Sequence, residues 1–154
     1  MLKYRKNIRL KNYDYRSNSA YFVTICTDFK QNLIKTREKQ IVESELRNLP
    51  SYFKGLTIDY FQTMGTHLHV ILLLENCSAG LPQIVGAFKS LTTLKLKRNG
   101  YKNKYFWQKN YYEHVIRNGK ALNKIREYIR NNPLAEKLEM EKIYDNVGQA
   151  RPLH

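Results

Sequence analysis

Two histidines one residue apart, His67 and His69, head the stretch Thr66–Leu74, where apolar residues run from Leu68 to Leu74 with only His69 interrupting them. Val70 and Ile71 favour a pleated, half-buried strand. On a strand, residues i and i+2 share a face, so the two imidazoles project side by side, roughly 6–7 Å apart at the backbone. At that spacing both can reach one metal ion, at N–metal distances of about 2.0–2.2 Å. A lone His-x-His pair is more often a core residue beside a surface one, so other residues must decide. Far downstream, Ile125–Pro133 reads as the end of a helix in which Tyr128 and Asn132 lie one turn apart on one face. A tyrosine hydroxyl, with a pKa of about 10, is a poor nucleophile unaided. A divalent metal held by His67, His69 and a third oxygen ligand such as Asn132 would polarise a phosphodiester for attack by Tyr128. A two-metal nuclease would need clustered carboxylates; Glu75 and Glu127 are the nearest acids in sequence, and no cluster is present.

The elements that must position these groups follow from period. Residues 21–27 (YFVTICT) read as a strand, 28–37 as a loop and 38–53 as an amphipathic helix with a break at Pro50. Residues 56–63 alternate as a second strand, and Gly65-Thr66 turns the chain into the His-Leu-His strand as an antiparallel hairpin. After a polar loop at 76–80, residues 81–97 read as a helix ended by Asn99-Gly100. A basic, aromatic segment spans 102–109, a fourth strand 111–116, and a last helix 121–132. The order β-α-β-β-α-β-α predicts an α+β fold. It is a ferredoxin-like (split βαβ) antiparallel sheet with helices on one face and an extra C-terminal helix carrying the tyrosine. His67 and His69 then lie on a central strand. The expectation is a single domain over 1–154, with a basic arm at 1–19 and a weakly patterned tail at 136–154.

Length and composition bound the function. The chain has 154 residues, enough for one core, with 42% hydrophobic and 12% aromatic residues. Lys and Arg number 27 against 13 acids, for a net charge of +14, which argues for a nucleic-acid partner. Candidate DNA contacts are Arg5, Lys6, Arg9, Lys11, Lys89, Lys95, Lys97, Arg98, Lys102, Lys104 and Lys109. Tyr105 and Trp107 are candidate base-stacking residues, with a core role the alternative for Trp107. Two cysteines, Cys26 and Cys77, make neither a disulfide framework nor a zinc motif. The absence of an apolar signal core or membrane-length run predicts a cytoplasmic protein without a membrane partner.

Several motifs in order resemble the single-tyrosine HUH transposases, most closely the REP-associated tyrosine transposases. They are Arg9–Tyr15 followed by Ala20–Thr27, the His67-Leu68-His69 strand, Ile84–Ser90 with Thr92-Thr93, Phe106–Arg117, and the helix reading Tyr128-Ile129-x-Asn131-Asn132-Pro133. The resemblance implies a bacterial protein, nucleoid-associated when bound, that acts on single-stranded DNA beside a hairpin (a repeat palindrome). It implies that Tyr128 attacks the phosphodiester to give a 5′-phosphotyrosine and a free 3′-hydroxyl, and that His67 and His69 hold Mg²⁺ or Mn²⁺. Related insertion-sequence transposases carry Gln where this chain has Asn132, one methylene shorter, so water or a neighbouring side chain is the alternative third ligand. A monomer is favoured over a homodimer. From a different class, the rival is a non-catalytic nucleic-acid-binding module on a ferredoxin-like sheet.

Overall fold

Period-two runs of β-branched and aromatic residues set the sheet. The computed structural model describes residues 19–131. In it, strands β1 (Ser19–Cys26), β2 (Leu56–Thr63), β3 (His67–Leu74) and β4 (Tyr112–Ile116) form one antiparallel sheet in the order β2-β3-β1-β4. Helix α1 (Thr36–Asn48) links β1 to β2, α2 (Leu81–Arg98) links β3 to β4, and α3 (Gly119–Asn131) follows β4. This is the ferredoxin-like order with its extra helix, and β1 and β3 are central. Met64 N–H donates to the His67 carbonyl (2.8 Å), which closes the two-residue turn at Gly65-Thr66.

Alternation sorts the side chains into two cores. Tyr21, Val23 and Ile25 of β1 and Leu68, Val70 and Leu72 of β3 are buried on the side of α1 and α2, in one cluster with Val42, Leu46, Ile84 and Phe88. Phe22, Cys26, Ile71, Tyr112 and Ile116 are buried on the other side, where Ile125 and Ile129 of α3 cover them. Strand β3 is apolar almost throughout because both its faces are covered. His67 and His69 share the parity of Ile71, so they lie under α3.

Two helix boundaries and one strand irregularity have local reasons. Helix α1 stops at Asn48 and a 3₁₀ turn over Leu49–Ser51 follows, because Pro50 lacks the N–H that another α-turn needs. Helix α3 starts at Gly119, since the Asn118 side-chain oxygen accepts from Ala121 N–H (2.8 Å) and caps it. Strand β2 carries a bulge between Ile58 and Tyr60. The extra residue, Asp59, turns toward α3 together with Tyr60. The expected arm and tail lie outside the described residues, Ser19 excepted.

Candidate active site

The His-Leu-His strand brings the two imidazole centroids to 4.7 Å from each other. Each ring is held by a threonine through Nδ1. Thr24 faces His69 across the β1–β3 ladder, and its Oγ1 lies 2.9 Å from His69 Nδ1. Thr66 Oγ1 lies 2.8 Å from His67 Nδ1. In the tautomer whose Nδ1–H donates to these hydroxyls, each Nε2 carries the lone pair that a metal needs, and the contacts orient both rings. Two such imidazoles fit a divalent cation. No group of three or more His, Cys, Asp or Glu capable of holding a metal occurs among the described residues. The remaining coordination positions would therefore go to other oxygen donors.

Helix α3 supplies the tyrosine. Ile125 and Ile129 bury its apolar stripe, which leaves Tyr128 half-buried beside it. The Tyr128 ring stands edge-on to His69 at 6.1 Å and to Phe22 at 6.3 Å between centroids. The histidine pair and the tyrosine thus meet within one chain. Two residues before Tyr128, Arg126 clamps the helix to the β2 bulge. Its Nε donates to Asp59 Oδ2 (2.7 Å), Nη2 pairs with Oδ1, and Nη1 reaches Asn123 (3.0 Å). The hydrogen bond to Asp59 raises the Arg126 pKa above its ordinary value. Asn132, the candidate third ligand, falls one residue beyond the described segment.

His114 of β4 pairs with Phe22 and so faces α3 as well. Burial, and secondarily the Arg117 charge, lower its pKa to about 4, so it is neutral near pH 7.

The cationic candidates divide. Lys97, Arg98, Lys102, Lys104 and Lys109 are exposed. Lys97, Lys104 and Lys109 line an open groove of about 480 Å³ between α2 and the 101–109 loop. Lys89 turns inward, where its ammonium donates to the carbonyls of Gln108, Lys109 and Asn110 at 2.8, 3.1 and 3.0 Å. Lys95 pairs with Glu45 at 3.0 Å. Trp107 is buried and donates from Nε1 to Thr92 (2.8 Å), which is the core role, while Tyr105 is exposed. Arg5, Lys6, Arg9 and Lys11 lie outside the described residues. None of the described helices is long and apolar enough to cross a membrane.

Sequence reasoning missed Thr24, Thr66, Asp59 and Arg126 as parts of the site. Thr66 adjoins His67 and could have been suspected. Thr24 and Asp59 depend on register and on a bulge, which the local sequence does not display.

Comparison with known proteins agrees with this architecture. Residues 15–132 match the family of IS200-like transposases. An uncharacterized protein of Haemophilus influenzae is 35% identical over 93% of this chain and 94% of its own length. Among solved structures, a REP-associated tyrosine transposase bound to a REP hairpin superposes with a TM-score of 0.69 at 20% identity, covering 82% of this chain and 73% of that one. A candidate transposase of Deinococcus radiodurans gives a TM-score of 0.56 at 16% identity, over 80% of this chain and 95% of that one.

Proposed function

Since the chain belongs to the IS200-like transposase family, we propose that it cleaves and rejoins single-stranded DNA beside a hairpin, with Tyr128 as nucleophile and His67 and His69 as metal ligands. The Tyr128 oxygen attacks the phosphorus of one phosphodiester. The P–O bond to the 3′ oxygen breaks, and that oxygen leaves as a 3′-hydroxyl, taking up the proton that the phenol gives up to solvent. The DNA 5′ phosphate remains on Tyr128 as a phosphotyrosine. Attack by another strand's 3′-hydroxyl reverses the step and frees the phenol, so the bond energy is conserved without a nucleotide cofactor.

A divalent ion on the two histidines would supply charge stabilisation at the phosphate and the departing oxygen. Imidazole ligands suit Mn²⁺ better than Mg²⁺, which prefers an all-oxygen shell. Thr24 and Thr66 orient the rings through Nδ1, which leaves Nε2 for the ion. The Arg126–Asp59 clamp fixes the turn of α3 that carries Tyr128. Exposed Lys97, Lys104 and Lys109 offer charge for DNA phosphates.

The observation that carries the reading is the 6.1 Å approach of the Tyr128 and His69 rings within one chain. It supports a site built in cis and a monomeric working unit. The neighbouring transposase bound to a REP hairpin supports a hairpin-bearing substrate. The test is covalent capture. An oligonucleotide with a hairpin, labelled 3′ of the cut and incubated with Mn²⁺, should give a denaturation-resistant protein–DNA band that Tyr128→Phe abolishes. Persistence of that band in the variant refutes the assignment.

A further inference from the structure

The turn that follows β1 combines backbone strain with an exposed aromatic ring. Phe29 has φ 54° and ψ 22°, and Lys30 has φ 53°. Gln31 N–H donates to the Asp28 carbonyl (3.2 Å), so Phe29 and Lys30 occupy the central positions of a type I′ turn. Asn-Gly fits those positions without strain, and a bulky L-residue does not. The Phe29 ring is nevertheless 82% exposed. Neither packing nor turn preference accounts for a phenylalanine there. Strain of this kind persists only where the surroundings over-determine it, and it concentrates at functional sites.

The surroundings are firm. Thr27 N–H donates to the Thr66 carbonyl (2.9 Å), and its hydroxyl lies 2.6 Å from the Gln31 carbonyl. Asp28 N–H donates to the Phe106 carbonyl (2.8 Å), and Gln108 N–H to the Cys26 carbonyl (2.8 Å). These bonds stitch the turn to the 101–109 loop, so Phe29 and Tyr105 each stand one residue from the Asp28–Phe106 backbone bond that joins the two segments. Tyr105 is 58% exposed, and the Lys104 ammonium stands 5.3 Å over its ring. Both segments leave the His67 end of the sheet. Cys26 pairs with His67, and the Thr66 that anchors Thr27 also touches His67 Nδ1.

We propose that Phe29 and Tyr105 form a stacking platform for the single-stranded DNA that leads into the cut site, with Lys30, Lys104 and Lys109 taking its phosphates. The proposal rests on the transposase reading for the identity of the strand. Exposed rings interleaved with cations match single strands, because unpaired bases offer free π-faces and stack on aromatic side chains whatever their sequence. Bases inside a duplex are already stacked, so a duplex would engage only the lysines.

The test uses the full chain and a short oligothymidine carrying one 2-aminopurine, with binding followed by anisotropy and by quenching of the purine. Phe29→Ala and Tyr105→Ala should each weaken single-strand binding about 5- to 100-fold and relieve the quenching. Binding of a blunt duplex should stay unchanged. Phe29→Gly should lose the same affinity while melting no lower than the wild type, which separates recognition from folding. Wild-type affinity for the single strand in Phe29→Ala overturns the platform, as does an equal loss for single strand and duplex. A wild-type dimer that Phe29→Ala dissociates would make the ring a contact between copies and also overturns it. Absence of a Tyr128 adduct, with single-strand binding still dependent on Phe29, defeats the transposase chemistry and leaves the platform standing.

Discussion

Thr24→Val deletes one hydroxyl and almost nothing else. Thr24 is 1% exposed, and valine keeps its volume and β-branching. The substitution removes the 2.9 Å contact to His69 Nδ1. A single buried hydrogen bond contributes about 1 kcal/mol net, which for a domain of this size is about 4 °C in melting temperature. Valine's added apolar surface offsets part of that. The effect on metal binding should be larger. Without the hydroxyl, the His69 ring loses the contact that aims it toward the partner imidazole 4.7 Å away. Loss of such a support costs about 10- to 100-fold in metal affinity, or about 1.4–2.7 kcal/mol. Titration of Mn²⁺ by calorimetry or by the EPR signal of free ion reads this directly, independent of DNA. Thr66→Val should act likewise through His67. A Thr24→Val protein that binds Mn²⁺ as tightly as the wild type, whatever its melting temperature, would refute the argument that Nδ1 support builds the site.

Asp59→Ala removes the acceptor of the Arg126 clamp. The pair is partly exposed, so the stability loss should be only about 1 kcal/mol in chemical denaturation. The cleavage rate should fall far more, because about 1 Å of misplacement of Tyr128 can cost about 100-fold, while Mn²⁺ affinity holds; equal small losses in rate and stability would make the clamp merely structural. His114, with its pKa lowered to about 4 by burial, takes up a proton less readily folded than unfolded. Its stabilisation is therefore complete above pH 6.5 and fades as the pH falls toward 4, by about 2 kcal/mol between pH 7 and 5. His114→Asn should flatten the stability–pH curve over that interval, and an unchanged slope would contradict the burial argument. Lys30→Gly removes an L-residue from a left-handed position and should stabilise the chain by about 1 kcal/mol in denaturant; a lower midpoint would show the turn to be unstrained.

The sheet was legible because its signals are local. Alternation in β2, the Gly65-Thr66 turn and the nearly continuous apolar run of β3 each follow from period and turn chemistry. The pairing of His67 with His69 on one face is likewise a consequence of strand period. What supports them is not local. Thr24 meets His69 only through a register between segments far apart in sequence, and Asp59 meets Arg126 only because a bulge reverses one residue. Lys89 looks the same in sequence whether it faces DNA or reaches inward, and three loop carbonyls decide which. Asn118-Gly119 reads as a turn until the asparagine is seen capping α3. The strain at Phe29 leaves no mark in composition at all, since nothing about an Asp-Phe-Lys stretch announces a positive φ.

The central claim is that Tyr128 becomes joined to DNA. Trypsin should release it within the peptide Glu127-Tyr128-Ile129-Arg130, which holds no other tyrosine. After reaction with a hairpin-bearing single strand and Mn²⁺, followed by nuclease digestion, mass spectrometry should find this peptide carrying a nucleotide 5′-phosphate. The unmodified peptide with the nucleotide on another tyrosine, or no modified peptide beside demonstrable cleavage, would contradict the account.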